Sequence, residues 1–359
     1  MPITQIDTFS IERLQILDEK GNVDKALEPK LSNEELKKIY YLMLLSRAFD
    51  EKVINLQRQG KVGTFAPVKG QEASQIGSAY ALSQKDWIFP TYRESAALIT
   101  RGLPISQLIQ YWAGSEYGND TSKERNNFPI SIAVGTHLLH AVGVAYASKL
   151  KGDNIVTLAY FGDGATSEGD FHEALNFSGV WKTPTIFLCQ NNQLAISVPR
   201  KKQTSAKTLA QKAIAYGIKG IQVDGNDILA VYKSVKDAVD YAKGGNGTTL
   251  IECETYRLAQ HTTSDDPSKY LKKEELEQWL PKEPIIRFES YLKNKRLLTD
   301  DEIKKLKERA EQEVKREVEL GLSEIKNDPD DMFKFLFADI PKSILQQMNE
   351  LKETLRKNG

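Results

Sequence analysis

The sequence of 359 residues predicts an α/β protein: a mostly parallel central sheet with helices on both faces, followed by a helical C-terminal extension. Two observations predict this class. Between residues 155 and 256, short runs of β-forming apolar residues alternate with amphipathic stretches, as in parallel β–α–β units. From residue 271 onward the chain is charged and has helical periodicity. We therefore expect an N-terminal arm (1–30), an α/β domain (31–270) and a helical C-terminal region (271–359).

The composition argues against several classes of function. The 49 basic and 49 acidic residues cancel, which disfavours nucleic acid or an anionic membrane as the main partner. Cys189 and Cys253 each lie in an apolar, strand-like run and are expected to be buried, reduced thiols. The N-terminus lacks a signal-peptide pattern, and no apolar run reaches the length of a membrane span. We therefore expect a cytoplasmic protein.

The N-terminal part is expected to contain an arm and a long helix. Residues 1–30 have weak periodicity and are expected to be extended, ordered only where another part of the molecule holds them. Ser32 and Glu35 have the spacing of a capping box, which predicts a helix from there to about Gln59. A short strand ending in a polar turn is expected between residues 86 and 94.

The segment from Ile155 to Ser197 carries the most specific chemistry. Its first strand ends at residues 162–164, Gly-Asp-Gly, where two glycines let the backbone approach a ligand and one carboxylate is presented. Thr166 or Ser167 is expected to cap the next helix. A second short strand then ends at an Asn-Asn pair, residues 191–192.

These polar residues predict a metal site. Ligands of open α/β sheets bind beyond the carboxyl ends of the strands, so Asp163 and the two asparagines are expected to converge. A carboxylate and an amide are hard oxygen ligands, which suit Mg²⁺ better than zinc, and Mg²⁺ completes its shell with phosphate oxygens. Gly-Asp-Gly alone is more often an ordinary turn. Its place one helix and one strand before the Asn-Asn pair makes the phosphate–magnesium interpretation much more specific.

The α/β pattern continues after this segment. A strand is expected at 220–225, and Asp227 is expected to cap a helix that ends near Lys243. Another buried strand is expected at 248–256. Residues 256–270 are dense in Thr, Ser, Asp and Pro, which indicates a mobile functional loop.

The C-terminal region is predicted to be helical. Residues 300–320 have a long amphipathic pattern whose charges are expected to face solvent. Residues 332–348 are apolar for a terminal segment. We expect this segment either to pack under the α/β domain or to contact another subunit.

The chain resembles the alpha subunits of the thiamine-diphosphate-dependent first component of 2-oxo acid dehydrogenase complexes, most of all those of pyruvate dehydrogenases from Gram-positive bacteria. The likeness is colinear from about Leu31 to about Gln347. The segments that carry it are GQEASQIG (70–77), YRE (92–94), GDGATSEGDFHEALNFSG (162–179), QNNQLAIS (190–197), AKTLAQKA (206–213), GIQVDGND (220–227) and HTTSDDP (261–267).

The resemblance implies a thiamine-diphosphate-binding fold with two cofactors, thiamine diphosphate and Mg²⁺. The implied metal ligands are Asp163, Asn192 and the backbone carbonyl of Leu194. All implied cofactor-binding residues, these three included, are Tyr92, Arg93, Ile132, Val134, Gly162, Asp163, Gly164, Ala165, Gln190, Asn192, Leu194 and His261. Arg93 suits a diphosphate because its planar fork holds phosphate oxygens bidentately, and a surface salt bridge is the alternative. His261 is the implied catalytic residue, as hydrogen-bond donor or general acid, and Arg257 is expected to clasp Asp265 or Asp266 in the same loop.

Residues 131–144 are expected to start a helix that in the family lies under the cofactor. The resemblance implies that Val134 wedges the cofactor into a bent shape and that the backbone of Ile132 and Val134 pairs with its aminopyrimidine ring. His137 and His140 follow on this helix and are expected to be hydrogen-bonded core residues more than metal ligands. Their spacing is not that of a zinc-binding HExxH motif.

Residues 114–129 depart from the family pattern. Relatives usually carry a histidine in this loop that helps to hold substrate or to transfer the acyl group. This chain has Tyr117, Asn126, Asn127 and Phe128 instead. Either another residue does this work or substrate handling differs.

The implied activity is oxidative decarboxylation of pyruvate, a small 2-oxo acid, with acetyl transfer to a lipoyl group. The implied partners are a beta subunit, in a heterotetramer of two alpha and two beta chains, and the lipoyl domain of the dihydrolipoyl acyltransferase core. In this family the beta subunit supplies the glutamate that activates the cofactor. Glu72 is therefore expected to have a structural role at a helix start.

Three alternatives remain at this point. A branched-chain 2-oxo acid dehydrogenase alpha subunit is one, although such relatives tend to have arginine where this chain has Gln190. A non-catalytic scaffold subunit that kept the fold is another, supported only by the missing loop histidine. A nucleotide-binding α/β dehydrogenase is disfavoured because neither a G-x-G-x-x-G nor a Walker motif is present.

Overall fold

Six parallel strands form the central sheet of the computed structural model, which describes residues 3–120, 125–325 and 328–358. A separate antiparallel sheet has two strands of two residues each. The strands are β1 (Glu12–Leu14), β2 (Trp87–Phe89), β3 (Thr157–Gly162), β4 (Thr185–Asn191), β5 (Leu194–Ala195), β6 (Val198–Pro199), β7 (Lys219–Asp224) and β8 (Thr249–Glu254). The order of the sheet is β1-β7-β8-β4-β3-β2, and every pairing is parallel, so the predicted α/β fold is confirmed.

Helices cover both faces of the sheet and build the C-terminal region. The α-helices are α1 (Asn33–Arg58), α2 (Glu72–Tyr80), α3 (Ser95–Thr100), α4 (Ile105–Trp112), α5 (His137–Lys151), α6 (Gly169–Trp181), α7 (Arg200–Gln203), α8 (Ile228–Lys243), α9 (Lys273–Trp279), α10 (Pro284–Asn294), α11 (Asp300–Ser323), α12 (Asp331–Lys334) and α13 (Lys342–Asn358). Short 3₁₀ turns span Glu116–Asn119, Asp163–Ser167, Ala210–Tyr216, Pro267–Lys269 and Leu280–Lys282. In the described part of the chain, no helix is both long and apolar enough to cross a membrane.

Alternating residues of the central strands enter two separate cores. Leu158 and Tyr160 of β3 pack in the core that contains α1, α2 and α8. Ala159 and Phe161 pack in the opposite core, with α5 and α6. This alternation is what a strand buried on both faces requires, and it explains why β3 is an almost unbroken apolar run.

The N-terminal arm adds an edge strand that its sequence does not indicate. β1 pairs with β7, and the backbone N–H groups of Ile16 and Leu17 both donate to Asp227 Oδ2 at 2.6 Å. The other oxygen of Asp227 accepts from Leu229 and Ala230 at the start of α8, as predicted for a helix cap. The same carboxylate therefore anchors the arm and caps a core helix.

The predicted start of α1 is confirmed, whereas the predicted starts of α5 and α6 are wrong. The capping box of Ser32 and Glu35 opens α1 as expected. The expected cap of α6 by Thr166 or Ser167 is wrong, because both lie in a 3₁₀ turn and the Thr166 hydroxyl donates to the carbonyl of Asp163. The helix expected at residue 131 begins only at His137. Gly135 has a positive φ of 87°, which is incompatible with a right-handed helix at that residue.

The apolar segment near the C-terminus is exposed. Met332 and Phe335 are 67% and 71% accessible, and Leu336 and Phe337 are also exposed. Only Phe333 of this segment is buried among the residues that the structure describes there. The segment is therefore not tucked under the domain, and the subunit contact stays a prediction.

Candidate active site

One cavity lies at the carboxyl ends of β3 and β4, where the sequence predicted a ligand site. The two strands pair side by side, with Gly162 opposite Gln190. The cavity has a volume of about 250 Å³. All twelve residues expected to bind cofactor line it: Tyr92, Arg93, Ile132, Val134, Gly162, Asp163, Gly164, Ala165, Gln190, Asn192, Leu194 and His261.

Asp163 follows β3 directly and is only 2% exposed. Its Oδ2 accepts a hydrogen bond of 2.8 Å from Gln203 Nε2. Burial raises the pKa of Asp163 to about 6, because a carboxylate loses hydration inside the protein. A bound cation would offset this cost, so the position suits a metal ligand.

Asn192 and Leu194 line the same cavity, and the Leu194 carbonyl accepts from Arg257 Nη1 at 3.4 Å. The Asn192 side chain donates through Nδ2 to Gln71 Oε1 at 3.1 Å and accepts through Oδ1 from the backbone N–H of Leu194 at 3.2 Å. Across the described ranges, no group of three or more His, Cys, Asp or Glu side chains could hold a metal. A cation bound here would therefore need further oxygens from its ligand, which is how Mg²⁺ binds with phosphates.

Two arginines also line the cavity. Arg93 is buried and donates to the carbonyls of Pro67 at 2.8 Å and His261 at 3.0 Å. Arg257, which sequence reasoning did not place in the site, lines the same cavity. Neither arginine forms an ion pair within the described part of the chain, so both charges remain for an anion. The surface-salt-bridge alternative for Arg93 is wrong.

His261 lies between these two arginines. Its Nδ1 is 3.0 Å from Arg93 Nη2 and 3.4 Å from Arg257 Nη1. Guanidinium groups only donate, so Nδ1 accepts and the ring proton is on Nε2. Burial and the two positive charges lower the pKa of His261 to about 4. At neutral pH His261 is therefore a neutral hydrogen-bond donor rather than a cationic acid.

The His261 loop is fixed by the segment before α2. Phe65 and Thr263 exchange two hydrogen bonds of 2.8 and 2.9 Å, and the Leu258 N–H donates to Lys69 at 3.1 Å. The expected direct pairing of Arg257 with Asp265 or Asp266 is wrong. Arg257 donates instead to the Tyr270 hydroxyl at 2.9 Å, and that hydroxyl donates to Asp265.

A buried carboxylate orients Gln190, and sequence reasoning missed it. Gln190 Nε2 donates to Glu94 Oε1 at 2.5 Å, while Gln190 Oε1 accepts from Gln75 at 3.1 Å. Glu94 Oε2 also accepts from the Thr91 N–H at 2.5 Å. Glu94 is the last residue of the YRE segment (92–94), and its place beside Tyr92 and Arg93 is the feature of the sequence that could have indicated a role in the site.

The mouth of the cavity is apolar and exposed. Ile132 and Val134 are 59% and 46% accessible, and Ile196 on the other side is 56% accessible. These residues lie on irregular segments or at a hairpin turn, not on a helix as expected for the first two. Their surfaces have no partner in the described part of this chain that would cover them.

Other predicted residues lie outside the cavity. Glu72 starts α2 and accepts from Arg47 at 2.7 Å and from the Gly70 N–H at 2.9 Å, which confirms its structural role. His137 is a buried residue bonded to the Tyr160 carbonyl at 2.7 Å, as expected. His140 is exposed, so the core interpretation is wrong for it.

The loop at 114–129 does not reach the cavity with its described residues. Tyr117, Asn126, Asn127 and Phe128 are absent from the cavity lining. Residues 121–124 lie outside the described ranges. The loop therefore offers no described substitute for the histidine of relatives.

Comparisons with known proteins show which family this chain resembles. A family model described as dehydrogenase E1 component matches residues 40–329, which include every residue of the cavity lining. The "pyruvate dehydrogenase E1 component subunit alpha" of Staphylococcus aureus (strain Mu50) is 43% identical over 350 residues, covering 97% of this chain and 95% of that protein. The "3-methyl-2-oxobutanoate dehydrogenase subunit alpha" of Mycobacterium tuberculosis (strain H37Rv) is 39% identical over 364 residues, covering 99% and 97%.

Proposed function

The chain belongs to the dehydrogenase E1 component family, and we propose that it is the alpha subunit of a pyruvate dehydrogenase (acetyl-transferring). It would act with thiamine diphosphate and Mg²⁺ in the cytoplasm, decarboxylating pyruvate and passing the acetyl group to a lipoyl domain. The observation that carries the proposal is one cavity lined both by hard oxygen ligands and by two arginines that form no ion pair within the described residues.

The residues of the cavity fit the proposed cofactor. Asp163, Asn192 and the Leu194 carbonyl offer one negative charge and two neutral oxygens, which suits Mg²⁺ only when diphosphate oxygens complete its shell. Arg93 and Arg257 suit the remaining charge of the diphosphate. Thiamine diphosphate, when bound, supplies the carbon nucleophile and the electron sink for decarboxylation.

The side chains of this subunit would bind and orient rather than break bonds. His261 would donate from Nε2 to an anionic or carbonyl oxygen, because Arg93 and Arg257 hold its Nδ1 as an acceptor. Gly164 supports close approach of a ligand by adding no side chain to the turn. Ile132 and Val134 would contact the apolar part of the cofactor and exclude water from it.

A second chain is part of the proposal. The exposed apolar mouth at Ile132, Val134 and Ile196 supports a partner that closes the cavity. The exposed segment around Phe335 supports a further contact. A beta subunit in a heterotetramer of two alpha and two beta chains would account for both, and the family resemblance implies that it would supply the activating glutamate.

A branched-chain 2-oxo acid is the second candidate substrate. It is favoured by the relative named 3-methyl-2-oxobutanoate dehydrogenase subunit alpha, which is 39% identical. Pyruvate is favoured by the relative named pyruvate dehydrogenase, at 43% identity, and by Gln190. A one- or two-methylene difference changes affinity only about 10- to 200-fold, so substrate preference needs a direct measurement.

The test is decarboxylation with an artificial electron acceptor, in the presence of thiamine diphosphate and Mg²⁺. The chain is assayed alone and co-expressed with the beta subunit encoded beside it, on pyruvate and on 3-methyl-2-oxobutanoate. Activity of the pair only, and greater on pyruvate, is the expected result. Greater activity on the branched acid would replace the substrate. Full turnover by the single chain would contradict the two-chain proposal, and cofactor binding without turnover in the pair would favour the scaffold alternative.

A further inference from the structure

Two glutamines contact the side chains of the proposed metal ligands. Gln203 ends α7 and contacts Asp163, while Gln71 precedes α2 and contacts Asn192. We propose that both are positioning residues that determine which oxygen atoms of Asp163 and Asn192 face the metal. The inference rests on the proposed function, since it concerns the same cavity.

Gln203 acts as a donor. Its Nε2 lies 2.8 Å from Asp163 Oδ2 and 3.4 Å from the Val198 carbonyl, so the amide group bridges the carboxylate and the β5–β6 hairpin. A hydrogen bond to Oδ2 fixes the rotation of the carboxylate about its side-chain bond. It leaves Oδ1 as the oxygen that Gln203 does not occupy, and this is the atom we assign to the metal.

The segment that carries Gln203 is itself fixed over the Gly-Asp-Gly turn. The Arg200 N–H donates to the Gln193 carbonyl at 2.9 Å, and Arg200 Nη1 donates to the Ala206 carbonyl at 2.8 Å. A Cβ placed on Gly164 would be 2.9 Å from Ala195 Cβ and 3.8 Å from Gln203 Oε1. Residue 164 must therefore stay small for this segment to reach Asp163.

Gln71 acts as an acceptor. Its Oε1 accepts from Asn192 Nδ2 at 3.1 Å, while the Leu194 N–H donates to Asn192 Oδ1 at 3.2 Å. The two contacts distinguish the two ends of the Asn192 amide and prevent it from turning its NH₂ group toward a cation. Gln71 is fully buried, and its Nε2 has no hydrogen-bond partner among the described residues. Replacing that nitrogen by oxygen would therefore remove no hydrogen bond.

The opposite roles give an experiment with a sharp signature. Mn²⁺ binding is measured by electron paramagnetic resonance on the full chain paired with its beta subunit, at saturating thiamine diphosphate. Gln203→Met and Gln71→Met should each weaken Mn²⁺ binding about 10-fold, the scale of lost support for a metal ligand. Gln203→Glu should bind more weakly than Gln203→Met, because it places an acceptor against a carboxylate. Gln71→Glu should bind more tightly than Gln71→Met, because it keeps the acceptor.

The control is Lys202→Met, an exposed neighbour in α7 whose change should leave Mn²⁺ affinity unaltered. Thermal unfolding identifies any variant that does not fold, and the isosteric glutamate variants then carry the test. Wild-type Mn²⁺ affinity in Gln203→Met would overturn the role for Asp163, and in Gln71→Met the role for Asn192. If both glutamate variants bound Mn²⁺ more weakly than their methionine counterparts, or both bound it more tightly, the donor–acceptor assignment would be overturned. A wild-type protein that binds no Mn²⁺ would instead contradict the proposed function.

Discussion

The floor of the cavity, formed by Asp163 and Asn192, has its hydrogen-bond partners within this chain. The mouth of the cavity has exposed apolar side chains without such partners among the described residues. At the floor, Asp163 and Asn192 are buried at strand ends, and each already has a side-chain partner within this chain. At the mouth, Val134 and Ile196 are exposed apolar side chains on irregular segments. The floor is built by the fold of one chain, whereas the mouth has the character of a surface that something else covers. Changes at the two places should therefore fail in different ways.

The largest effect is expected at the floor, from Asp163→Asn. This change should abolish Mg²⁺-dependent binding of thiamine diphosphate, because it removes the only negative charge among the three proposed metal ligands. Binding is measured by calorimetry with and without Mg²⁺, and retained binding would refute the metal assignment.

The same variant should keep or gain stability without cofactor. Burial raises the pKa of Asp163 to about 6 in the folded chain, against about 3.9 for an unperturbed aspartate. At pH 7.5 the carboxylate is ionised in both states, and its burial lowers the free energy of unfolding. Asparagine removes that charge and can still accept from Gln203. A lower unfolding midpoint in urea would show that Asp163 is structural.

The mouth should respond to Val134→Asp with lost assembly rather than lost folding. A charge here would be buried unpaired once a partner covers the cavity, which is strongly unfavourable. We expect at least about 10-fold weaker association with the beta subunit in the absence of thiamine diphosphate, or about 1.4 kcal/mol, measured by sedimentation. The unfolding free energy of the single chain should change by no more than about 0.5 kcal/mol, since Val134 is 46% exposed.

The control variant Ile286→Asp tests whether the effect of Val134→Asp depends on its place at the cavity mouth or only on the exposure of the side chain. Ile286 is also exposed, at 62%, but lies on α10 away from this cavity. Wild-type association with the beta subunit in Ile286→Asp and weaker association in Val134→Asp would support a covered mouth. Wild-type association in both variants would show that the mouth stays open.

Much of the floor could be predicted because its signals are local. The Gly-Asp-Gly turn and the asparagine pair each follow an apolar strand, and parallel strands bring their carboxyl ends to one edge. The supporting residues could not be found this way. Gln71 and Gln203 lie 121 and 40 residues from Asn192 and Asp163 along the chain, so only the folded structure shows that they meet.

The remaining errors have physical causes as well. Residues 131–136 have enough apolar character to suggest a helix, but the positive φ of Gly135 delays the start to His137. β1 has only three residues, and its order depends on Asp227 far along the chain. In both places, backbone conformation or a distant contact outweighs local sequence preference.

Substitution of Arg93 should weaken binding of thiamine diphosphate, but less than Asp163→Asn does. Charge-assisted hydrogen bonds contribute about 1.5–3 kcal/mol, so Arg93→Met should weaken thiamine diphosphate binding roughly 10- to 100-fold. Arg93→Lys should recover only part of this, because lysine keeps the charge but cannot replace donors to Pro67 and His261 together. Affinities are compared by fluorescence titration at fixed Mg²⁺. Full recovery by lysine would mean that charge alone matters.

The smallest effect is expected from His261 as pH changes. Its pKa in the folded chain is lowered to about 4, below the ordinary value near 6.5, by burial and by Arg93 and Arg257. A folded pKa below the unfolded value means that the unfolded chain binds the proton more readily, so His261 destabilises the folded chain as pH falls from about 6.5 toward 4. His261→Gln should therefore flatten the fall in unfolding free energy over this range, and leave stability at pH 8 nearly unchanged. An NMR titration gives the matching observable: the His261 ring signals should not move between pH 8 and pH 5.5. A midpoint near 6.5 for His261 would show that the two guanidinium groups do not hold the ring neutral, and the cationic general-acid role would then be restored.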